Sequence, residues 1–248
     1  MAAVSVFPSQ AELGAALARS VTEAAAEAVA SDGRFTLGLS GGSLVAMLAR
    51  ELPAALSAVP AADPSRWLVA FCDERLVPLE HPESTEGAYR SQVLSQLSPP
   101  GPRVVGVASG LAPAAAAADY EERLRSAFPG PALPRFHLLL LGVGPDGHTC
   151  SLFPGHALLQ EQNSLVAAIV DSPKPPAQRV TMTLPLLNSA ASVLLVASGD
   201  SKAPVIKRIL EDEEPCPLPA ARVRPRSGRL RWLLDAAAAG RLRNSPGN

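Results

Sequence analysis

Cysteine is scarce in this 248-residue sequence, and the few thiols are poorly placed for a structural role. The three cysteines, Cys72, Cys150 and Cys216, are odd in number, far apart along the chain and without a C-x-x-C pair. This pattern excludes a disulfide framework, and it disfavours a zinc site although His148 lies two residues before Cys150. Reduced thiols predict a protein of the cytoplasm.

An excess of charge and long apolar segments are also missing. The formal net charge is −1, which indicates neither a nucleic-acid-binding surface nor one for anionic membranes. No window of about 18 uncharged apolar residues is present, and the start, MAAVSVFPSQ, lacks the charge and apolar pattern of a signal peptide. We therefore expect no membrane or nucleic-acid partner, and any bound anion must be held by a local site.

Hydrophobic residues are plentiful, at 47% of the chain, which is enough to bury a sizeable core. No internal repeat and no change of composition marks a linker. The sequence therefore predicts a single domain over residues 1–248, with a flexible tail over 241–248.

Apolar runs without polar alternation recur between segments of helical periodicity. Helices are predicted over 9–30, 43–56, 86–97, 113–128, 201–214 and 236–239, and strands over 35–40, 66–75, 103–107, 136–144, 164–170, 179–184 and 192–199. Ser9 is the predicted N-cap of the first helix. The alternation is typical of an α/β fold, with a Rossmann-like, open, mainly parallel sheet covered by helices on both faces.

Four predicted strands end in polar or glycine-rich loops. These loops read SGGS at 40–43, DER at 73–75, GVGPDGH at 142–148 and SGDSK at 198–202. Ligands of such sheets bind outside the carboxyl ends of the strands. We therefore expect the four loops to line one cleft.

The segment GVGPDG at 142–147 has the spacing G-x-G-x-x-G, which also occurs in dinucleotide-binding proteins. That fingerprint must open a helix, whose N-terminus receives the pyrophosphate. Here Pro154-Gly155 follows seven residues after Gly147, which leaves no room for a crossover helix, and Pro145 removes one loop amide. Dinucleotide binding is therefore disfavoured.

The same loop offers acid–base chemistry. His148 is a candidate general base, since the ordinary pKa of histidine lies near neutrality, and the Asp146 carboxylate is close by in the sequence. The alternative is a histidine whose bonds are satisfied by backbone. The nearby carboxylate and the other three loops favour the catalytic interpretation.

The SGGS loop and three cations suit a phosphate. Backbone amides of SGGS, before a predicted helix, form an anion site, although a plain turn with Ser43 as N-cap is the alternative. Arg75 can clamp a phosphate or pair with Asp73 or Glu74. Lys202 and Arg179 are further candidates, and solvent exposure is the alternative for Lys202. The loop lacks the G-K-S/T ending of a nucleotide P-loop, which disfavours ATP.

Taken together, the motifs resemble those of the 6-phosphogluconolactonase family, which is related in fold to the glucosamine-6-phosphate deaminases (NagB/RpiA-like). The resemblance covers nearly the whole chain. Its segments, in order, are LGLSGGS, FCDERLVP…EST…YR, LLLLGVGPDGHTCSLFP, SPKPP…RVTMTLP and SGDSK followed by a helix and LPAA. The GPDGHTCSLFP block is the most specific of them.

This resemblance implies hydrolysis of 6-phospho-D-glucono-1,5-lactone to 6-phosphogluconate, the second step of the oxidative pentose phosphate pathway, without a metal or other cofactor. It makes His148 the general base and places Asp73 in the active site. In the mechanism that we expect, Asp146 orients His148. The implied phosphate-binding residues are Ser40, Gly41, Gly42, Ser43, Arg75 and Lys202, with Arg179 as a further substrate contact. Many members have Thr-Pro after SGGS, where this chain has Leu44-Val45, which puts the role of a threonine hydroxyl in question.

Two alternatives remain. A glucosamine-6-phosphate deaminase has a glutamate five residues after the histidine, a position held here by Phe153. A non-catalytic sugar-phosphate-binding protein would keep the phosphate loops and lose the base, whereas this chain keeps His148 beside Asp146. Lactone hydrolysis by a monomer is the function we expect.

Overall fold

The computed structural model describes residues 3–128, 130, 133–212 and 214–243. Seven strands form the main sheet, in the order β1-β10-β9-β6-β2-β3-β5, and all of its pairings are parallel. Their bounds are β1 Ala3–Phe7, β2 Phe35–Leu39, β3 Trp67–Phe71, β5 Arg103–Val105, β6 Leu138–Gly142, β9 Ser192–Ala197 and β10 Arg229–Asp235. Three further strands, β4 Asp73–Arg75, β7 Val166–Ile169 and β8 Arg179–Met182, form a small antiparallel sheet in the order β4-β8-β7.

Helices cover the main sheet. Their bounds are α1 Gln10–Asp32, α2 Ser43–Ala58, α3 Thr85–Gln92, α4 Pro113–Ala127, α5 Leu184–Leu187, α6 Ala203–Glu211 and α7 Ala236–Ala239. Ser9 caps α1 as predicted, because its side chain accepts a hydrogen bond from the amide of Glu12 at 3.2 Å. The prediction of a mainly parallel sheet between helices is confirmed.

Two hydrophobic cores lie on opposite faces of the sheet, and strand β6 shows why its apolar run does not alternate with polar residues. Leu138 and Leu140 pack into the core formed with α1 and α2, while Leu139 and Leu141 pack into the core formed with α4 and the small sheet. A strand that is buried on both faces needs apolar side chains at every position.

The predicted strand over 66–75 is wrong as a single element. It divides at Cys72, whose amide donates to the carbonyl of Leu39 in the main sheet and whose carbonyl accepts from the amide of Met182 in the small sheet, each at 2.8 Å. The chain therefore changes sheets at this residue. Asp73–Arg75 pairs antiparallel with β8 instead of continuing the parallel strand.

Other boundaries differ at the ends of the chain and of helices. Strands β1 and β10 have no predicted counterpart. The helix predicted from residue 201 begins at Ala203 and ends at Glu211, after a 3-10 turn over Asp200–Lys202. In the predicted tail, Leu242 packs against the core, while 244–248, like Glu213 of the predicted helix, lie outside the described residues.

No single helix of the described residues is long and apolar enough to cross a membrane. One bent pair of helices, Ser43–Ala58 with Pro60–Arg66, meets the length and composition test with a bend of 114°. In the fold, the apolar side chains Leu44, Met47 and Leu48 of that pair are buried in the core.

Candidate active site

The four polar loops meet at the carboxyl edge of the main sheet. The strands that precede them, β9, β6, β2 and β3, are consecutive neighbours in the sheet. The chain order reverses between β2 and β6, which is where α/β sheets open a crevice for ligands. Residues of all four loops line a cleft of about 280 Å³, and it includes Ser40–Ser43, Asp73, Arg75, His148, Arg179 and Lys202.

His148 is held by the Asp146 carboxylate. Nδ1 of the ring lies 2.5 Å from Oδ1 of Asp146. The loop closes on itself, because the amide of Gly144 donates to the carbonyl of His148 at 2.8 Å and the amide of Gly147 donates to the carbonyl of Gly144 at 2.9 Å. Gly144 must lack a side chain, since a Cβ there would lie 1.9 Å from Nδ1 of His148. Gly144 therefore makes room for the histidine ring, and no helix follows the GVGPDG loop before Pro154.

The hydrogen bond to Asp146 fixes the tautomer of His148. A carboxylate accepts hydrogen bonds, so the ring proton belongs on Nδ1 and the lone pair on Nε2. Among the described residues, no group bonds to Nε2, and the side chain lines the cleft. Burial lowers the pKa of His148 below the ordinary value, although Asp146 opposes that effect. The ring is therefore neutral at pH 7, which suits a base.

The Asp73 carboxylate is held by a hydrogen bond from the buried Ser151 hydroxyl. Oδ2 of Asp73 accepts a hydrogen bond from the Ser151 hydroxyl at 2.8 Å. Nη1 of Arg179 donates to the same hydroxyl oxygen at 3.4 Å. Both Asp73 and Ser151 are buried. These hydrogen bonds therefore fix the orientation of the Asp73 carboxylate at the cleft.

Glu74 stabilises the site without entering the cleft. Its carboxylate accepts hydrogen bonds from the amides of Arg75, Thr85 and Glu86 at 2.7–2.8 Å, and so it occupies the N-terminal end of α3. Burial raises the pKa of Glu74 even though those amides favour the charged form. The DER and EST segments are therefore linked through one buried carboxylate.

The predicted alternative that Arg75 pairs with Asp73 or Glu74 is wrong, because its ion-pair partner is Glu83. Nη1 of Arg75 lies 2.9 Å from the carboxylate of Glu83 and 3.0 Å from the Glu83 carbonyl. Nε of Arg75 is buried and has no partner among the described residues. A buried donor without a partner is costly, so an anion in the cleft would stabilise this guanidinium.

Arg179 and Lys202 differ in how much of their charge is available. Nε and Nη2 of Arg179 donate to backbone carbonyls of residues 174–176. The remaining nitrogen, Nη1, lies 3.4 Å from the Ser151 hydroxyl oxygen. Burial lowers the pKa of Lys202, and the charge of Lys174 adds to that effect. The role of both residues in binding substrate stays a prediction.

The SGGS loop has the form of an anion site. Gly42, with φ 76°, is the N-cap of α2, so the alternative of Ser43 as N-cap is wrong and Ser43 is the first helical residue. In the part of the chain that the structure describes, the amides of Gly41 and Gly42 donate to no protein acceptor. Leu44 and Val45 are buried in the core, so these two positions offer no side-chain hydroxyl to the cleft.

The comparisons with known proteins agree with this geometry. Residues 8–232 match the family model described as glucosamine-6-phosphate isomerases/6-phosphogluconolactonase. The chain belongs to this family. It is 59% identical to the 6-phosphogluconolactonases of Homo sapiens and Bos taurus, over 95% of this chain and 92% of each relative. The 6-phosphogluconolactonase structure from Trypanosoma cruzi matches with a TM-score of 0.81 at 26% identity, over 98% of both chains. The family and its NagB-like fold, predicted from the motifs, are confirmed.

Within this glucosamine-6-phosphate isomerase/6-phosphogluconolactonase family site, sequence reasoning missed Lys174. Its ammonium lies 3.2 Å from Nδ1 of His148 and 3.5 Å from Oδ1 of Asp146, and the residue lines the cleft. The SPKPP segment was visible in the sequence as a turn, but nothing in its spacing indicated which loop it would face. Lys174 is 26 positions from His148 and 28 from Asp146 in the sequence, and only the fold brings these residues together.

Two thiols lie near the cleft, but the described residues form no cluster typical of a metal site. Within the described ranges, no group of three or more histidine, cysteine, aspartate or glutamate side chains is arranged to hold a metal ion. Cys72 and Cys150 are buried free thiols, and Sγ of Cys150 lies 3.8 Å from Oγ of Ser40. Both pack in the hydrophobic core, and Cys150 also lines the cleft.

Proposed function

We propose that this protein hydrolyses 6-phospho-D-glucono-1,5-lactone to 6-phosphogluconate, in the oxidative pentose phosphate pathway, with His148 as general base and without a metal. The observation that carries this proposal is the His148 ring, neutral, fixed through Nδ1 by Asp146 and open at Nε2 in a cationic cleft. A monomer of the cytoplasm is part of the proposal. The net charge of −1 indicates neither a nucleic-acid nor an anionic-membrane partner, and the three scattered cysteines suit a reducing compartment.

The substrate phosphate is proposed to lie between the SGGS loop and two cations. The free amides of Gly41 and Gly42 and the N-terminus of α2 favour an anion. Arg75 offers the buried Nε, which has no hydrogen-bond partner within the described ranges, and Lys202 adds a second positive charge to the cleft. With the phosphate held there, the lactone ring extends toward His148.

The chemistry needs one base and no covalent nucleophile. Nε2 of His148 takes a proton from a water molecule as its oxygen bonds to C1 of the lactone. The tetrahedral intermediate then collapses, the bond from C1 to the ring oxygen breaks, and the imidazolium returns its proton to that oxygen. The new carboxylic acid ionises and releases one proton to solvent. Asp73, fixed by Ser151, orients the water or a sugar hydroxyl.

Phe153 argues against the deaminase alternative. It holds the position at which the resemblance places a glutamate in the deaminases, and its ring packs on His148 with centroids 4.9 Å apart. Phe153 is buried, so it supplies an apolar wall and no carboxyl group for proton transfer to the substrate. Its place beside the base favours water attack over ring opening of an amino sugar.

The direct test is a pH-stat assay with freshly generated 6-phosphogluconolactone. We expect enzyme-dependent release of one proton per lactone, above the spontaneous rate, that is unchanged by a chelator such as EDTA. Spontaneous hydrolysis is measured in the same buffer without protein. A rate equal to that background would reject the activity, and a rate abolished by EDTA would reject the metal-free mechanism.

Replacing Lys202 with alanine is expected to raise KM about 10- to 100-fold with little change in kcat, because a phosphate contact is made equally in the ground state and the transition state. Steady-state kinetics in the pH-stat measure both constants. Lys207→Ala is the matched control, since Lys207 pairs with Asp212 and is not one of the residues that line the cleft. An unchanged KM in Lys202→Ala would remove Lys202 from the phosphate site.

A further inference from the structure

The loop that carries Lys174 is held in one conformation by its own hydrogen bonds. The amide of Ser172 donates to the carbonyl of Ala177 at 3.2 Å, which closes the loop. The Ser172 hydroxyl donates to the carbonyl of Lys174 at 2.8 Å and accepts from the amide of Lys174 at 3.2 Å. The backbone of Lys174 is therefore fixed on both sides of its Cα atom.

Arg179 holds the same loop from beneath. Its Nη2 donates to the carbonyls of Lys174 and Pro175 at 2.9 and 3.2 Å, and its Nε donates to the carbonyl of Pro176 at 2.9 Å. The side chain of Arg179 is only 3% exposed, so these carbonyls are its main partners. A buried guanidinium thus sets the position from which Lys174 reaches into the cleft.

The ammonium of Lys174 meets the His148–Asp146 pair at the Nδ1 side of the ring. Because Nδ1 donates its proton to Asp146, it cannot also accept a hydrogen bond from Lys174. The contact of 3.2 Å between Nζ and Nδ1 is therefore electrostatic, while Nζ donates to Oδ1 of Asp146 at 3.5 Å. Two donors converge on one carboxylate oxygen, and they fix its position.

The charges around the ring oppose one another. The carboxylates of Asp146 and Asp73 favour an imidazolium, while burial and the ammonium of Lys174 favour the neutral ring. Phe153 covers one face of the ring with apolar surface. Burial is the largest of these influences and acts on any ring in this place, and the nearby ammonium of Lys174 acts in the same direction, against the two carboxylates.

We propose that Lys174 is a positioning residue that keeps His148 neutral, with its proton on Nδ1 and Nε2 free to accept one from water. The inference rests on the proposed role of His148 as general base. It also accounts for the second half of the reaction. An imidazolium beside an ammonium is destabilised, so His148 returns its proton readily to the departing ring oxygen.

The test that does not depend on catalysis is an NMR titration of the histidine rings. The chain has four histidines, and the His148 signal is the one missing from His148→Ala. In Lys174→Met, which keeps the length and apolar stem of the side chain, we expect the His148 titration midpoint to move to higher pH. Lys174→Arg, which keeps the charge, should titrate close to the wild type, and so should the control Lys207→Met.

A midpoint in Lys174→Met equal to that of the wild type would overturn the proposal, and so would an equal shift in Lys207→Met. Because no substrate is present, this result stands even if the chain has another activity. Circular dichroism and the signals of the other histidines verify that each variant is folded.

Kinetic measurements distinguish an effect of Lys174 on the protonation of His148 from a role in substrate binding. In Lys174→Met we expect kcat/KM at pH 6 to fall about three- to tenfold relative to wild type while the plateau above pH 7.5 stays within about twofold. Lys174→Arg should restore the value at pH 6. A lower plateau with an unchanged pH profile would assign Lys174 to substrate contact or to structure, and the proposal would be wrong.

Discussion

Replacement of His148 by alanine is expected to lower kcat about 10²–10⁴-fold, since a positioned base contributes a factor of that size. Binding of 6-phosphogluconate should survive, because the proposed phosphate site, made of the SGGS loop, Arg75 and Lys202, lies on other parts of the cleft. Activity is measured in the pH-stat, and product affinity by calorimetry. The combination of lost turnover and kept affinity distinguishes a base from a binding residue.

His156→Ala is the matched control for this variant. His156 pairs with Asp171 at 3.1 Å and bonds the amide of Leu158, away from the residues that line the cleft. Its loss should leave kcat close to that of the wild type. If His148→Ala kept more than about a tenth of the wild-type kcat, general-base catalysis by this residue would be rejected.

The second large effect is expected from Gly144→Ala. A Cβ at this position would lie 1.9 and 2.0 Å from Nδ1 and Cε1 of His148 and 2.6 Å from Oδ1 of Asp146. The ring must therefore leave its place between the carboxylate and the cleft. A misplacement of about 1 Å can cost about 10²-fold in rate, so we expect a loss of kcat of that size or more from one added methyl group.

Gly101→Ala controls for the general effect of replacing glycine, because a Cβ at Gly101 meets no atom within 4 Å. Thermal unfolding reports whether Gly144→Ala is still folded, and the NMR signal of His148 reports whether its ring has moved. A folded Gly144→Ala protein with wild-type kcat would show that catalysis does not depend on the ring position described here.

The position of the cleft could be predicted from sequence because the strands that surround it are simple. FTLGL and LLLLG are short apolar runs that end in glycine-rich loops, and both are buried on two faces of the sheet. The carboxyl ends of parallel strands lie at one edge, so the loops after them had to be close together. No long-range information was needed for that step.

Two features could not be predicted from local patterns. Strand β1 is an edge strand that pairs with β10, the last strand of the chain, so its existence depends on residues more than two hundred positions away. The division at Cys72 depends on partners in β2 and β8. The sequence from Arg66 to Arg75 predicts one strand, because the segments on both sides of Cys72 are compatible with a β-strand and no turn residue separates them.

The chemistry of the site shows the same limit. His148 and Asp146 are two residues apart, and their pairing was predicted because a short glycine loop brings them together. Glu83 and Lys174 reach Arg75 and His148 from other loops. Charged side chains of this length pair with whatever the tertiary structure brings within reach, so sequence spacing predicts the presence of such groups but not their partners.

The change of sheet at Cys72 couples the local stability of the small sheet to the integrity of the cleft. One residue contributes its amide to the large sheet and its carbonyl to the small one, and the next residue, Asp73, lies in the cleft. Local unfolding that detached the antiparallel strands would remove a wall of the cleft and displace Asp73 in the same event. Hydrogen exchange of the backbone amides at this junction and loss of ligand should therefore have the same opening free energy. A bound substrate should slow amide exchange over a region larger than the one it contacts.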